Sequence, residues 1–327
     1  METPTMDSGK LVKRIGILLT TVFFAADPLL ATHEESHVIV DDAWSGATGY
    51  HFSGRLTEAH DRATAHNGGA RTFYRNTRLL ATRGEEGTVT WHVADLSWSV
   101  RTDDSGYWAL SMNQPLSLTP GWHVITTEPA ASSEAGLLVV DPANRLGIIS
   151  DIDDTILVSD VLTKKTLLQN SLLVPAEKRT PVAGMAALYR RVLKSNPAPE
   201  SAAVFYVSAS PKQLTDNLRA FLRQNDFPRG VLRLKEISEA GVDPLLDPRA
   251  YKLRVLAEVF AAYPAVRFAL FGDDGEKDPE IYAELQARYP AQIEGVWIRR
   301  VDPNPARATF PGQKDVAELL PAAPPSK

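Results

Sequence analysis

The chain has no cysteine among its 327 residues, which excludes disulfides, thiolate nucleophiles, thiolate-bound zinc and iron–sulfur clusters. That absence does not fix a compartment. Histidine is missing from the whole second half. The seven histidines lie at 33, 37, 51, 60, 66, 92 and 123, and none follows. A Ser-His-Asp triad or a histidine-bound zinc therefore has no place there, and carboxylates, hydroxyls, lysine and arginine must carry the chemistry. Positive charge is not in surplus either. With 35 Lys and Arg against 40 Asp and Glu, the net charge of -5 argues against nucleic acid as a partner held by bulk positive charge.

Long apolar runs are also scarce. Ile15 to Ala26, behind Lys10, Lys13 and Arg14, falls short of the ~20 residues that a membrane-spanning helix needs. The run has the charged and hydrophobic parts of a signal peptide, but Ala25-Ala26-Asp27-Pro28 offers no small-x-small cleavage pair. Residues 1–36 are read as an apolar helical segment packing on the protein or on a membrane surface, with a secretory signal as the alternative. The remaining length suffices for about two domains, each with its own core.

From 37 to 145 the texture is β. The runs HVIV, YHFSGRL, GTVTWHV, SWSVRT, GYWALSM, GWHVITT and AGLLVV recur between turn signals such as Asn67-Gly68-Gly69 and Asp103-Asp104-Ser105-Gly106. Such spacing predicts a small β-sandwich domain. Five of the six tryptophans fall here, which suits its core. Near Asp141-Pro142 the pattern changes. GIIS, AAVFYVS, VRFALFG and IEGVWIR are continuous apolar runs, as in strands buried on both faces, and helical stretches at 181–194, 211–224, 251–263 and 279–289 alternate with them. This predicts an α/β domain with a mostly parallel sheet over 146–315. Residues 316–327, ending in a Pro-rich stretch, are expected to be a flexible tail.

Two of the apolar strands end in acid. Gly147-Ile-Ile-Ser leads into Asp151-Ile-Asp153-Asp154-Thr155, and Phe271-Gly272 leads into Asp273-Asp274-Gly275-Glu276-Lys277-Asp278. Ligands of open α/β sheets bind beyond the carboxyl ends of the strands. One acidic cluster there is no more than a solvated helix cap, but two make a hard-oxygen pocket suited to Mg²⁺.

The spacing fits more than a metal site. Asp151-x-Asp153-x-Thr155 after a strand, a hydroxyl residue ending the next strand (Ser208), a helical lysine (Lys252) and Gly272-Asp273-x-x-x-x-Asp278 resemble, in order, the four motifs of haloacid dehalogenase-like phosphatases. The wording GIISDIDDTI, YVSASPKQL and FGDDGEKDPEIYAEL is similar to the catalytic domain of phosphatidate phosphatases of the actin-patch type, from about Leu146 to Val301. The upstream SGRL, RTDDSGYWAL and GWHVI segments resemble the small β domain preceding it in bacterial relatives. One departure is GDDGEKD in place of GDSGEQD, so that Asp274 adds a carboxylate that could shift metal affinity.

The resemblance implies a haloacid dehalogenase-like Rossmannoid fold and a set of roles. Asp151 would be the nucleophile that forms an aspartyl-phosphate, and Asp153 the general acid and then base. Mg²⁺ would sit on Asp151, the backbone carbonyl of Asp153, and Asp273, while Asp278 orients the metal's waters or clamps Lys252. Ser208 and Lys252 would bind the transferred phosphoryl oxygens. Thr155 reads as a turn hydroxyl, Asp154 as a cap or water ligand, and Ser210 shares a side with Ser208 if the strand continues.

Neither 156–180 nor the stretch from Ser208 to Lys252 can hold a cap domain of ~50 residues. An open site without a large lid suits a bulky phospholipid presented at a membrane surface, and the apolar 167–175 (LLQNSLLVP) is a flap or a packed hairpin. The expected location is cytoplasmic, with peripheral membrane association or a secreted form as variants. The alternatives for function are a phosphatase of the same mechanism acting on a non-lipid phosphoester, and a non-catalytic binding module. His33-Glu34-Glu35-Ser36-His37 matches HExxH, but that motif works on a helix, and Val-Ile-Val follows His37 at once.

Overall fold

A computed structural model describes residues 36–57, 84–113, 116–131, 134–158, 178–236 and 248–320. The amino-terminal segment to residue 35, the turn at 67–69 and the flap at 167–175 lie outside the described residues. No helix among the described residues is long and apolar enough to cross a membrane.

Eight strands form the first sheet: β1 (His37–Val40), β2 (Ala43–Gly46), β3 (Gly49–Thr57), β4 (Thr88–Val93), β5 (Leu96–Arg101), β6 (Tyr107–Met112), β7 (Gly121–Glu128) and β8 (Ala135–Val139). The order is β1-β3-β2-β8-β7-β4-β5, with β6 on β3. Every pairing is antiparallel except β2 with β8. The strands expected as a two-sheet sandwich thus form one continuous hydrogen-bonded sheet. The link is β2, a four-residue strand (AWSG) with neither alternation nor a β-branched run: Trp44 pairs with both His51 of β3 and Leu138 of β8. Faces of this sheet meet over a core in which Phe52, Trp91 and Trp98 stack at centroid distances of 4.0 and 4.6 Å. His37 opens strand β1, so HExxH has no helix to continue into.

The second sheet holds β9 (Leu146–Ser150), β10 (Val204–Pro211), β11 (Val231–Lys235), β12 (Arg267–Asp273), β13 (Ile293–Arg299) and β14 (Gln313–Asp315), with α1 (Met185–Leu193), α2 (Thr215–Gln224), α3 (Pro248–Ala262) and α4 (Asp278–Arg288). Its order is β11-β10-β9-β12-β13-β14, parallel throughout. The apolar runs are explained by burial on both faces. Ile148, Val204, Tyr206, Ala269 and Phe271 face one core with α1 and α2, whereas Ile149, Phe205, Val207, Phe268 and Leu270 face the other with α3 and α4. From β9 the chain runs outward through β10 and β11 and then returns to the other side of β9 as β12. That reversal brings the carboxyl ends of β9 and β12 side by side, at the point where α/β sheets bind ligands.

The carboxyl-terminal end differs from expectation. Val316 is only 1 % exposed, Leu319 and Leu320 pack against the same core, and a capping box on Asp315 starts the short turn Val316–Glu318. The residues at 316, 319 and 320 lie on one helical side, so the chain is anchored as far as Leu320 rather than free from 316. The two sheets share a core too. Trp44 and Leu138 lie in one buried cluster with Phe205, Tyr251 and Tyr263. At Gly46 a Cβ would come within 2.7 Å of the Ala262 carbonyl oxygen, so only glycine lets β2 approach α3.

Candidate active site

Asp151 follows β9 directly, and its amide donates to the Phe271 carbonyl of β12 at 2.9 Å. The chain then turns sharply. Ile156 and Leu157 donate back to the Ile152 carbonyl, and Asp154 adopts a left-handed φ of 55°, a conformation that a short polar side chain tolerates. Arg299 fixes the turn by donating to the Asp154 carbonyl at 2.6 Å. This curl directs Asp151 toward β12 and Asp153 toward β10.

On the β12 side, Lys252 of α3, 2 % exposed, donates to Asp151 Oδ1 at 2.7 Å and to Asp278 Oδ1 at 2.6 Å. Glu276 lies 3.8 Å from the same ammonium. Thr155 donates to Asp151 Oδ2 at 3.2 Å, so the second oxygen is oriented as well. Asp278 starts α4 with Pro279 behind it, a favoured place for an acid and a proline. Its close approach to β12 requires Gly272, where a Cβ would lie 2.7 Å from Asp278 Oδ2. Asp273 Oδ1 accepts from the amides of Gly275 and Glu276 at 2.8 and 3.2 Å. Asp273 Oδ2 is buried and without a hydrogen-bond partner among the described residues.

The carboxylates of Asp151, Asp273 and Asp278 can bring one oxygen each within 4.8 Å of one another. Burial pushes Asp151 far above the ordinary carboxylate range against the pull of Lys252, and Asp278, Asp273 and Asp153 push it further. Asp273 is driven up to about 8, by burial first and then by Asp278. Burial also raises Asp278, with Lys252 opposing. Lys252 itself is held protonated, because the charges of Asp151, Asp278 and Glu276 outweigh its own desolvation. Three buried acids thus share one buried cation. A divalent cation on hard oxygen donors would cancel that excess, and the orphaned Asp273 oxygen is a fitting ligand.

On the β10 side, Ser208 and Ser210 donate to Asp153 Oδ2 at 3.0 and 3.2 Å. The Asp153 side chain therefore stands outside the acidic triplet. Burial raises its pKa, and the neighbouring Arg179 guanidinium pulls it down. Arg179 is the residue that sequence reasoning missed. It is 8 % exposed and reaches the site because 156–158 pairs with 180–182: Val158 donates to Thr180 and Val182 to Ile156, at 2.9 and 2.8 Å. No motif spacing marks it.

Asp274 has a different task from the one its motif position suggests. Its Oδ1 accepts from the amides of Val301 and Asp302 at 2.6 and 2.8 Å, so the extra carboxylate holds the loop after β13 and does not join the triplet.

Residues 146–300 match the family model described as the phosphatidate phosphatase APP1 catalytic domain. An uncharacterized protein of Schizosaccharomyces pombe is 31% identical over 161 residues, covering 48% of this chain and 26% of that protein. Phosphatidate phosphatase APP1 of Saccharomyces cerevisiae is 30% identical over 155 residues, covering 47% and 26%. The similarity to the phosphatidate phosphatase catalytic domain is thereby borne out over 146–300, while the chain spans about a quarter of the length of these curated relatives. Among solved structures, a carbohydrate acetylesterase from Xanthomonas citri is similar at a TM-score of 0.26 and 9% identity over 81% of this chain and 66% of that one.

Proposed function

We propose that this chain is a Mg²⁺-dependent phosphatase of the haloacid dehalogenase-like kind that hydrolyses a lipid phosphomonoester, phosphatidate, to diacylglycerol and phosphate. One observation carries the reading: Asp151 ends the central strand with Lys252 at 2.7 Å and with the carboxylates of Asp273 and Asp278 beside it. The family match over 146–300 and the name of the yeast relative point to the lipid substrate.

In the proposed mechanism Asp151 attacks phosphorus, the bond to the lipid oxygen breaks, and Asp153 gives its proton to the departing alkoxide. The raised pKa of Asp153 suits an acid that must be protonated at the start. Asp153 then takes a proton from water as that water attacks the aspartyl-phosphate, which restores Asp151 and releases phosphate. Ser208, Ser210 and Arg179 stand where they can orient Asp153 and donate to the phosphoryl oxygens. Asp151, Asp273 and the Asp153 carbonyl would hold the metal, with Asp278 tying Lys252 to the site. A magnesium ion bound there supplies positive charge that offsets the repulsion between an anionic nucleophile and an anionic phosphate. The short spacings from Thr155 to Ser208 and from Ser208 to Lys252 leave no room for a cap domain, which suits a substrate whose bulk stays in a lipid surface.

The test is a substrate panel. Phosphate release from phosphatidate vesicles in the presence of Mg²⁺ is expected, and activity on soluble sugar phosphates or nucleotides with none on phosphatidate would overturn the lipid assignment.

A further inference from the structure

Sheet pairing stops short of the two serines that hold Asp153. On one side of β10 the ladder to β9 ends at Tyr206 against Ser150. On the other side the register with β11 breaks between Val207 and Pro211. Ser208, Ala209 and Ser210 thus leave the sheet without the regular ladder that fixes the residues before them, although both serines meet the same Asp153 oxygen.

The chain just beyond these serines is anchored by the other sheet. Lys212, two residues past Ser210 and 5 % exposed, bridges Asp41 of the β1–β2 connection at 2.6 Å and Glu236 beyond β11 at 2.8 Å. Ser53 of β3 donates to Asp41, whose own amide donates to the Ser53 carbonyl at 3.0 Å. The Lys212 carbonyl accepts from Thr215 at the start of α2, at 2.6 Å. The neighbouring Asp42 serves the same joint at a different place. It accepts from Arg219 of α2 at 3.1 Å and from the Gly136 amide at 3.1 Å, a turn or more farther from the serines. A buried ion pair is a poor device for stability alone, since desolvation offsets much of the attraction, but it sets the position of a backbone within hydrogen-bond tolerance.

We propose that Asp41 is a positioning residue of this enzyme: through Lys212 it fixes the Ser208–Ser210 segment against Asp153, which makes the eight-stranded sheet part of the catalytic apparatus. The inference rests on the phosphatase reading above. Displacements of about 1 Å at a reacting group cost up to about a hundredfold in rate, so a loosened anchor falls on kcat more than on KM.

The experiment compares Asp41→Asn with Asp42→Asn, each in the full chain with Mg²⁺ and dioctanoyl phosphatidate, together with amide hydrogen exchange over 208–212. Asp41→Asn should lower kcat by about tenfold or more with little change in KM and speed exchange at 208–212. Asp42→Asn should lower thermal stability yet keep the wild-type kcat and the exchange at 208–212. If Asp41→Asn does not fold, Lys212→Met removes the bridge from its other end and carries the same expectation. Equal losses of kcat in the two Asn variants, or unchanged exchange at 208–212 in Asp41→Asn, would overturn the proposal. A wild-type protein that releases no phosphate would instead overturn the phosphatase reading, and the exchange pattern alone would then decide whether the anchor acts on this segment.

Discussion

Replacing Lys252 by methionine removes the one ammonium that, among the described residues, stands between three buried acids, while keeping the length of the side chain. Lys252 contacts Asp151 and Asp278 at 2.7 and 2.6 Å, and its side chain is 3 % exposed. Breaking a buried ion pair from one side costs about 3–5 kcal/mol. At about 2–4 °C per kcal/mol in a chain of this size, the melting temperature should fall by about 6–20 °C. The cost depends on pH, because the abandoned carboxyls can take up protons. A carboxyl whose folded pKa exceeds its unfolded value binds more protons when folded, so stability is fullest below the ordinary value of 3.8 and falls as pH climbs toward the folded value, which is about 8 for Asp273. Without Lys252 the folded values rise further, and each added unit is worth about 1.4 kcal/mol per proton. Urea unfolding with a chelator present, at about pH 5 and about pH 8, should show the larger loss at the higher pH. A loss under about 1 kcal/mol at both values, as an exposed pair would give, or one that shrinks as pH rises, would show that Lys252 does not hold the three acids.

Chelation of the wild-type protein should destabilise it more at high than at low pH, and saturating Mg²⁺ at about a hundred times its dissociation constant should restore about 2.7 kcal/mol, read as a shift in melting temperature. Arg179→Met should lower kcat/KM by about tenfold to a hundredfold, the worth of one hydrogen bond to a charged group, with Arg179→Lys recovering part of it in steady-state assays. Asp274→Ser should leave the Mg²⁺ concentration for half-maximal activity unchanged, since Asp274 serves the loop at Val301 and Asp302. A shift in that concentration would mean that the carboxylate acts on the metal.

Much of the architecture was legible because burial writes itself into composition. Strands buried on both faces, such as VRFALFG and AAVFYVS, are continuous apolar runs, and acids placed directly after them are conspicuous. Asp151, Asp273 and Asp278 lie together because β9 and β12 are neighbours where the strand order reverses. β2 escaped notice because four residues with two pairing partners show no alternation, and β14 because Gln313-Lys314-Asp315 is a polar edge strand. Arg179 was illegible for another reason: its place depends on the pairing of 156–158 with 180–182, a tertiary contact with no spacing rule. The anchor of Val316 was hidden behind a Pro-rich ending, whereas its packing depends on three apolar residues set on one side of a short turn.

The nucleophilic role proposed for Asp151 predicts the behaviour of its asparagine variant. Asp151→Asn, checked by circular dichroism to have kept its fold, should release no phosphate from phosphatidate vesicles above background in Mg²⁺ while the wild type does. Wild-type rates in that variant would rule out Asp151 as the nucleophile.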